Sequence, residues 1–158
     1  MRFVGPAELR AFAARELEEL HGSRDLVVAY GAGEVTGFAA AALLFSDYAV
    51  LHASATLIVD TPEAWAGAAW RLERTTLRWA LDGAKQEEVV DETTEAEPQS
   101  WLEEWMRHRS VMALDSAALL IRSRGGDRLE RAEFARLFAA GEPQKGLGAF
   151  LAKIKPSW

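Results

Sequence analysis

Leu26-Val27-Val28-Ala29-Tyr30-Gly31-Ala32-Gly33-Glu34-Val35-Thr36-Gly37-Phe38-Ala39-Ala40-Ala41-Ala42-Leu43-Leu44-Phe45-Ser46-Asp47 is the stretch that decides the fold. Its first five residues are apolar without interruption and lack the alternation of a strand with one wet face. They predict a short strand buried on both faces, the habit of a parallel sheet. Gly31, Gly33 and Gly37 punctuate the loop that follows. Residues 38–45 predict a buried, alanine-rich helix, stopped by Ser46-Asp47. Residues 48–59 are β-branched and apolar and predict one or two strands, with Ala53-Ser54 as a break. Strand, helix and strand in this order make the first half α/β.

Upstream, residues 7–21 predict one helix, with Leu9, Phe12, Ala13, Leu17 and Leu20 on one stripe and Gly22-Ser23 ending it. Downstream, Thr61-Pro62-Glu63 has the form of a helix start: a hydroxyl N-cap, proline at the first position and an acid in the first turn. Trp65, Trp70 and Leu72 are expected to form the packing surface of that helix. Residues 82–99 show no clear periodicity and read as an acidic connecting excursion. Ser100-Trp101-Leu102-Glu103 matches a capping box, opening a helical region that resumes, after a break, over 113–121. Gly125-Gly126 interrupts it, and two last helices are predicted over 128–140 and 143–154. In the last, Leu147, Phe150, Leu151 and Ile154 form one stripe, Lys153 lies in the final turn and Pro156 is the stop. The expected organisation is a 1–81 α/β core, the 82–99 excursion, and a helical 100–158 region suited to oligomerisation.

The 158 residues are 49% hydrophobic, enough for a real core, and carry a net charge of −6. Acidity argues against nucleic acid or an anionic membrane surface as partner. The absence of cysteine excludes disulfides, thiolate zinc sites and cysteine nucleophiles, and suits a reducing, cytoplasmic location. No secretory signal is expected, and residues 38–45, the longest apolar stretch, are too few to span a bilayer.

The same glycine-rich turn, followed by Asp60, imitates a dinucleotide site, in which glycines admit a pyrophosphate and an acid binds the ribose. The spacing, Gly31, Gly33 and Gly37, is one residue off the standard fingerprint, and too few strand–helix units follow. NAD(P) binding stands as the lesser alternative.

Three stretches resemble the crotonase (enoyl-CoA hydratase/isomerase) family. Phe3-Val4-Gly5-Pro6-Ala7-Glu8-Leu9 is similar to the segment that supplies one oxyanion-hole donor in that family. Gly33, Gly37, Ser46-Asp47 and Ala55-x-Leu57 fall in register with its glycine-rich helix start, Cys-Asp and Ala-x-Phe pattern. The stretch from Leu129 to Phe138 and the ending from Lys145 to Trp158 look like its closing helices. The resemblance implies a shortened, divergent crotonase-like (ClpP/crotonase) core with a reduced N-terminal sheet, followed by C-terminal helices. It also implies an acyl-CoA as ligand or substrate, no further cofactor, and a homo-oligomer, trimer or hexamer, covering the exposed sheet.

By position, the backbone N–H groups of Gly5 and Phe38 would hold a thioester carbonyl, an interaction that usually contributes most to the rate in chemistry of this kind. Phe38 replaces a glycine and brings a ring close to the site; Pro6 restricts the backbone at Gly5. Of the two hydratase glutamates, the first falls on Ala41; the second falls on Thr61, or on Glu63 with a two-residue insertion. One-base isomerase or lyase chemistry through Glu63 is therefore expected over two-glutamate hydration, with a non-catalytic subunit as the alternative. Glu63 is more simply explained as ordinary helix-start chemistry. Lys145, Lys153, Lys155 and Trp158 are implied CoA contacts, the lysines being also ordinary helix-end cations. Asp47 is expected to be a structural hydrogen-bonding residue, His52 a core or interface histidine, and His21 and His108 solvated; no metal site is expected.

Overall fold

Residues Val27, Val28, Ala29 and Tyr30 have no exposed surface, as their unbroken apolar run requires. They belong to a parallel sheet of β1 (Arg2–Val4), β2 (Val27–Gly31), β4 (Tyr48–His52) and β6 (Glu92–Thr94), in the order β1-β2-β4-β6. Val4 is in register with Ala29, Val28 with Tyr48 and Val50 with Glu92. A second parallel ladder joins β3 (Glu34–Val35) to β5 (Thr56–Leu57). The computed structural model describes residues 1–74, 89–123 and 126–158, with 72–74 as backbone alone. The expectations for Leu72, 82–88 and Gly125 lie outside the described residues. Two compact units emerge: Arg2–Ser23 with Val27–Pro98, and Met1, Arg24–Leu26 and Gln99–Trp158.

In the sheet unit, the helix expected over 7–21 is two helices, α1 (Pro6–Arg10) and α2 (Ala14–His21). Ala13 is extended (φ −129°, ψ −178°), and its N–H donates to the Glu16 carboxylate at 3.2 Å, which gives α2 its own start. Leu9, Phe12, Leu17 and Leu20 are buried as their spacing demands, whereas Ala13 is exposed. Helix α3 (Gly37–Phe45) is apolar all round and forms the middle of the core, with Ala40, Ala41, Ala42, Leu43 and Leu44 fully buried. Helix α4 (Pro62–Arg74) packs along it. The approach is closest at Gly67, where a Cβ atom would stand 2.8 Å from Leu44 Cβ. Trp70 packs on Phe45 at 5.8 Å between ring centroids, but Trp65, expected to pack, is 42% exposed.

Buried polar groups tie helices to strands. Val27 N–H donates to Asp47 Oδ2 at 2.7 Å, and Asp47 N–H returns a bond to Val27 C=O at 2.9 Å. Asp47 is thus the structural residue its position suggested. Arg71, 3% exposed, donates to Asp91 Oδ2 at 2.8 Å and to Ser46 C=O at 3.1 Å. Asp91 also accepts Ala49 N–H at 2.7 Å, so one carboxylate serves both α4 and β4. This junction leads into β6, so the 82–99 stretch supplies the fourth strand of the sheet.

The helical unit holds α5 (Pro98–Arg107), α6 (Val111–Arg122), α7 (Asp127–Ala139) and α8 (Glu142–Leu151). The Ser100 capping box does not form: α5 begins at Pro98, whose fixed φ suits a first helical position, and Ser100 lies inside the helix. Trp101 and Trp105 are buried, 5.7 Å apart. Ser110 caps α6, accepting Ala113 N–H at 3.0 Å, and its hydroxyl donates to the Glu142 carboxylate. Ser116, nearly fully buried, joins Glu133 (2.7 Å) and Arg136 (2.6 Å) between α6 and α7. Helix α8 stops at Leu151, and Lys153 follows it in the left-handed region (φ 56°), outside the helix that was expected to contain it. Among the described residues, no helix is long and apolar enough to cross a membrane.

Candidate functional site

Parallel strands put their carboxyl ends on one edge, and in α/β sheets that edge is where ligands bind. Here Gly5 follows β1, the glycine turn follows β2, and residues 53–61 follow β4. Three helices begin there. Gly5 is the extended N-cap of α1 (φ −79°, ψ 172°), with Pro6 next, and its carbonyl accepts Leu9 N–H at 2.9 Å. Phe38 lies in the first turn of α3, where backbone N–H groups have no partner within the helix. Its ring is half-buried and packs against the core cluster. Glu63 is half-buried in the first turn of α4, whose start is capped as the sequence indicated: Ala64 N–H donates to Thr61 Oγ1 at 3.2 Å. Gly5, Phe38 and Glu63 therefore share one edge of one unit.

Asp60 belongs to the same edge. Its Oδ2 accepts the Thr36 hydroxyl at 2.7 Å and its Oδ1 accepts Gly37 N–H at 3.1 Å. Gly37 needs its glycine, being left-handed at φ 58°. The Thr36 hydroxyl, with the Gly37 N–H, holds the Asp60 carboxyl below the usual range. The residue matched to a ribose-binding acid is a helix cap instead, and among the described residues the strand order is monotonic, without the reversal that forms a dinucleotide crevice. Neither feature supports the NAD(P) alternative. Ala41, at the first glutamate position, has no exposed surface and no titratable group.

Lys145, Lys153, Lys155 and Trp158 belong to the helical unit. Lys145 Nζ pairs with Glu142 at 3.3 Å and lies 5.9 Å from the centroid of the Trp158 ring, so it already has an anion and an aromatic face. Lys153 and Lys155 are exposed. His52, half-buried at the end of β4, accepts Ser54 N–H at Nδ1 (3.2 Å) and contacts its Oγ at 2.7 Å. His21 packs edge-on against Phe45 at 4.3 Å, and His108 Nδ1 lies 2.9 Å from Pro156 C=O, so neither is merely solvated. Tyr30 is fully buried, donates to Ala96 C=O at 2.5 Å, and has its phenol pKa raised chiefly by burial. No cluster of three or more histidine, aspartate or glutamate side chains suited to a metal occurs among the described residues. The sequence pattern did not reveal Arg71, Asp91 or the capping role of Asp60. Helical periodicity identified neither Arg71 nor its distant partner; a Thr-Gly helix start paired with a downstream acid was the one usable signal for Asp60.

A parallel sheet with helix starts gathered on its carboxyl edge defines the class of fold. No protein-family profile matches the sequence, and no curated protein matches it. Solved structures do match. An enoyl-CoA hydratase/isomerase from Marinobacter aquaeolei is 22% identical, covering 96% of this chain and 67% of that one, with a TM-score of 0.53. An enoyl-CoA hydratase from Geobacillus kaustophilus is 19% identical over 96% and 72% of the two chains, with a TM-score of 0.55. An enoyl-CoA hydratase/isomerase family protein from Hyphomonas neptunium reaches 0.61 at 17% identity, over 92% and 65%. The chain has the fold of the enoyl-CoA hydratase/isomerase (crotonase) family, in divergent sequence. It spans about two thirds of the length of these relatives.

Proposed function

We propose that this chain binds an acyl-CoA thioester at the carboxyl edge of its sheet, with the carbonyl oxygen held by Gly5 N–H and Phe38 N–H. The observation that carries this is the common edge itself, where both segments begin helices within a crotonase fold. Phe38 turns its ring onto the core, which leaves its backbone, not its side chain, as the group offered at the helix start. Any chemistry is of the one-base kind, an isomerase or lyase step with Glu63 taking a proton beside the polarised carbonyl. No cofactor other than the CoA thioester is invoked. Lys145, Lys153, Lys155 and Trp158 are proposed contacts for the CoA moiety, in an oligomer, trimer or hexamer, formed through the helical region.

A second reading, a binding subunit without turnover, is favoured by Ala41, a buried alanine where two-glutamate hydration needs an acid. Calorimetry with CoA and a series of acyl-CoAs tests the common element: saturable binding is expected, and no heat at millimolar ligand refutes it. Glu63→Gln separates the two readings. Loss of turnover on an enoyl-CoA panel with unchanged affinity supports the isomerase or lyase, whereas a wild type that binds but never turns over supports the subunit.

A further inference from the structure

After α8 the chain turns back and is fastened to its own unit. Lys153 N–H donates to Phe150 C=O at 3.1 Å and Ile154 N–H to Ala149 C=O at 3.0 Å, the paired bonds that close a helix around a left-handed residue. That residue is usually glycine; here it is Lys153 (φ 56°), in a conformation that strains a lysine and would leave a glycine at ease. The reversal carries the tail back to α5 and to the first turns of α8. His108, just after α5, has Nδ1 2.9 Å from Pro156 C=O; a carbonyl oxygen can only accept, so Nδ1 carries the proton. Its Nε2 faces the Glu104 carboxylate at 4.0 Å. Further on, the Trp158 ring lies against α8 at Gly146, where a Cβ atom would stand 3.6 Å from it, and Lys145 Nζ is 5.9 Å from its centroid. The strap is therefore fastened at the Lys153 turn, at Pro156 and at Trp158, with Lys155 between the first two. Lys153 and Lys155 are exposed and form no ion pair among the described residues. On a loose tail, two lysines would lose chain freedom on meeting an anion; on a fastened strap that loss is already taken in folding.

Resting on the acyl-CoA reading, we propose that His108 is a positioning residue for the nucleotide end of that ligand: by holding Pro156 it fixes Lys153 and Lys155 as preformed cations for phosphate. It acts through the strap and touches no ligand. The strained turn at Lys153 serves the same end, because it sets a charge at a defined point where glycine would carry none.

The two ends of acetyl-CoA are tested apart by calorimetry, with adenosine 3′,5′-bisphosphate for the nucleotide and S-acetylpantetheine for the thioester. His108→Ala is expected to weaken the bisphosphate about tenfold, the scale of one hydrogen bond, and to leave S-acetylpantetheine within about twofold. His108→Asn, whose amide nitrogen can stand in for Nδ1 as donor, is expected to restore bisphosphate binding. Bisphosphate affinity unchanged in His108→Ala, or unrestored by His108→Asn, overturns the proposal, as does an equal loss for both ligands. A wild type that binds S-acetylpantetheine but no bisphosphate removes the positioning role alone; one that binds neither removes the acyl-CoA reading with it. Limited trypsin digestion reads the strap without a ligand. Cleavage at Lys153–Ile154 should be faster in His108→Ala than in wild type or His108→Asn, the Lys155–Pro156 bond being resistant, and equal rates overturn the proposal. Should His108→Ala not fold, His108→Leu, closer in size and also without a donor, carries the same expectations.

Discussion

Val27, Val28 and Ala29 on β2 show no surface at all, whereas Leu147, Phe150 and Leu151 on α8 are 58%, 76% and 71% exposed. Both sets are apolar; the first is a continuous run and the second has the period of its helix. The difference lies in what satisfies them. The strand has no exposed side chain, Val27 and Ala29 packing in the core cluster with residues of α3, and its chain polar groups are consumed by Asp47 and the ladder. The helix satisfies its own backbone internally and can form without a cover for its stripe. A strand of this composition must be buried to exist; a helix of this composition must only be amphipathic.

Three measurements would break or sharpen that contrast. The largest effect is expected at the sheet unit's Arg71–Asp91 pair, in which the guanidinium is buried and the carboxylate is partly open to solvent. Arg71→Ala removes the buried guanidinium from Asp91 and from Ser46 C=O and should lower the unfolding free energy by about 2 kcal/mol in urea titration, the scale of a buried acceptor left without its donor. A loss under about 1 kcal/mol would mean that this junction resembles a surface contact.

A smaller, pH-dependent effect belongs to the helical unit. The Ser110 hydroxyl, with Lys145, holds the Glu142 carboxyl below its ordinary value. A carboxylate depressed on folding stabilises the native state above its unfolded value, near pH 4.3, and that contribution disappears as pH falls through the depressed value. Glu142→Gln should flatten the acid limb of the stability curve below about pH 4.3, followed by circular dichroism, with little change in slope near neutrality. An unchanged acid limb would show that the Ser110–Glu142 contact contributes nothing.

The smallest effect is expected where exposure is greatest. Phe150→Ala should change the unfolding free energy by less than about 0.5 kcal/mol, the usual range for a surface position. A loss above about 2 kcal/mol, accompanied by a fall in molecular mass by light scattering, would show that the ring is covered by another copy of the chain.

How far the sequence could be read follows from the same contrast. The strand, glycine turn and buried helix over 26–47 and the Thr61 cap were legible because each is dictated by neighbours in sequence, whereas Asp47, bonded to Val27 twenty residues upstream, was nominated by motif register. The break at Ala13, the start at Pro98 and the strand Glu92–Thr94 were not legible, since they depend on a side-chain cap, a competing start signal and a distant pairing edge. Spacing identified the stripe on α8 but was silent on whether anything covers it. At the candidate site, Gly5, Phe38 and Glu63 could be nominated from motif register, and their shared edge follows from parallel pairing. Asp60 was noticed for its distance from the glycines and given the wrong partner, because a sequence separation of about twenty residues fits a helix cap across a ladder as well as a ribose contact.

The close passage of α4 over α3 at Gly67 carries an evolutionary consequence. A methyl group there would meet Leu44 Cβ, an atom fixed by the helix backbone and unable to swing aside as the end of a flexible side chain would. Position 67 cannot drift alone. Among descendants of this chain, any residue larger than glycine at 67 should arrive together with glycine at 44 or with a wider spacing of the two helices, so that position 67 varies only with its neighbours on α3.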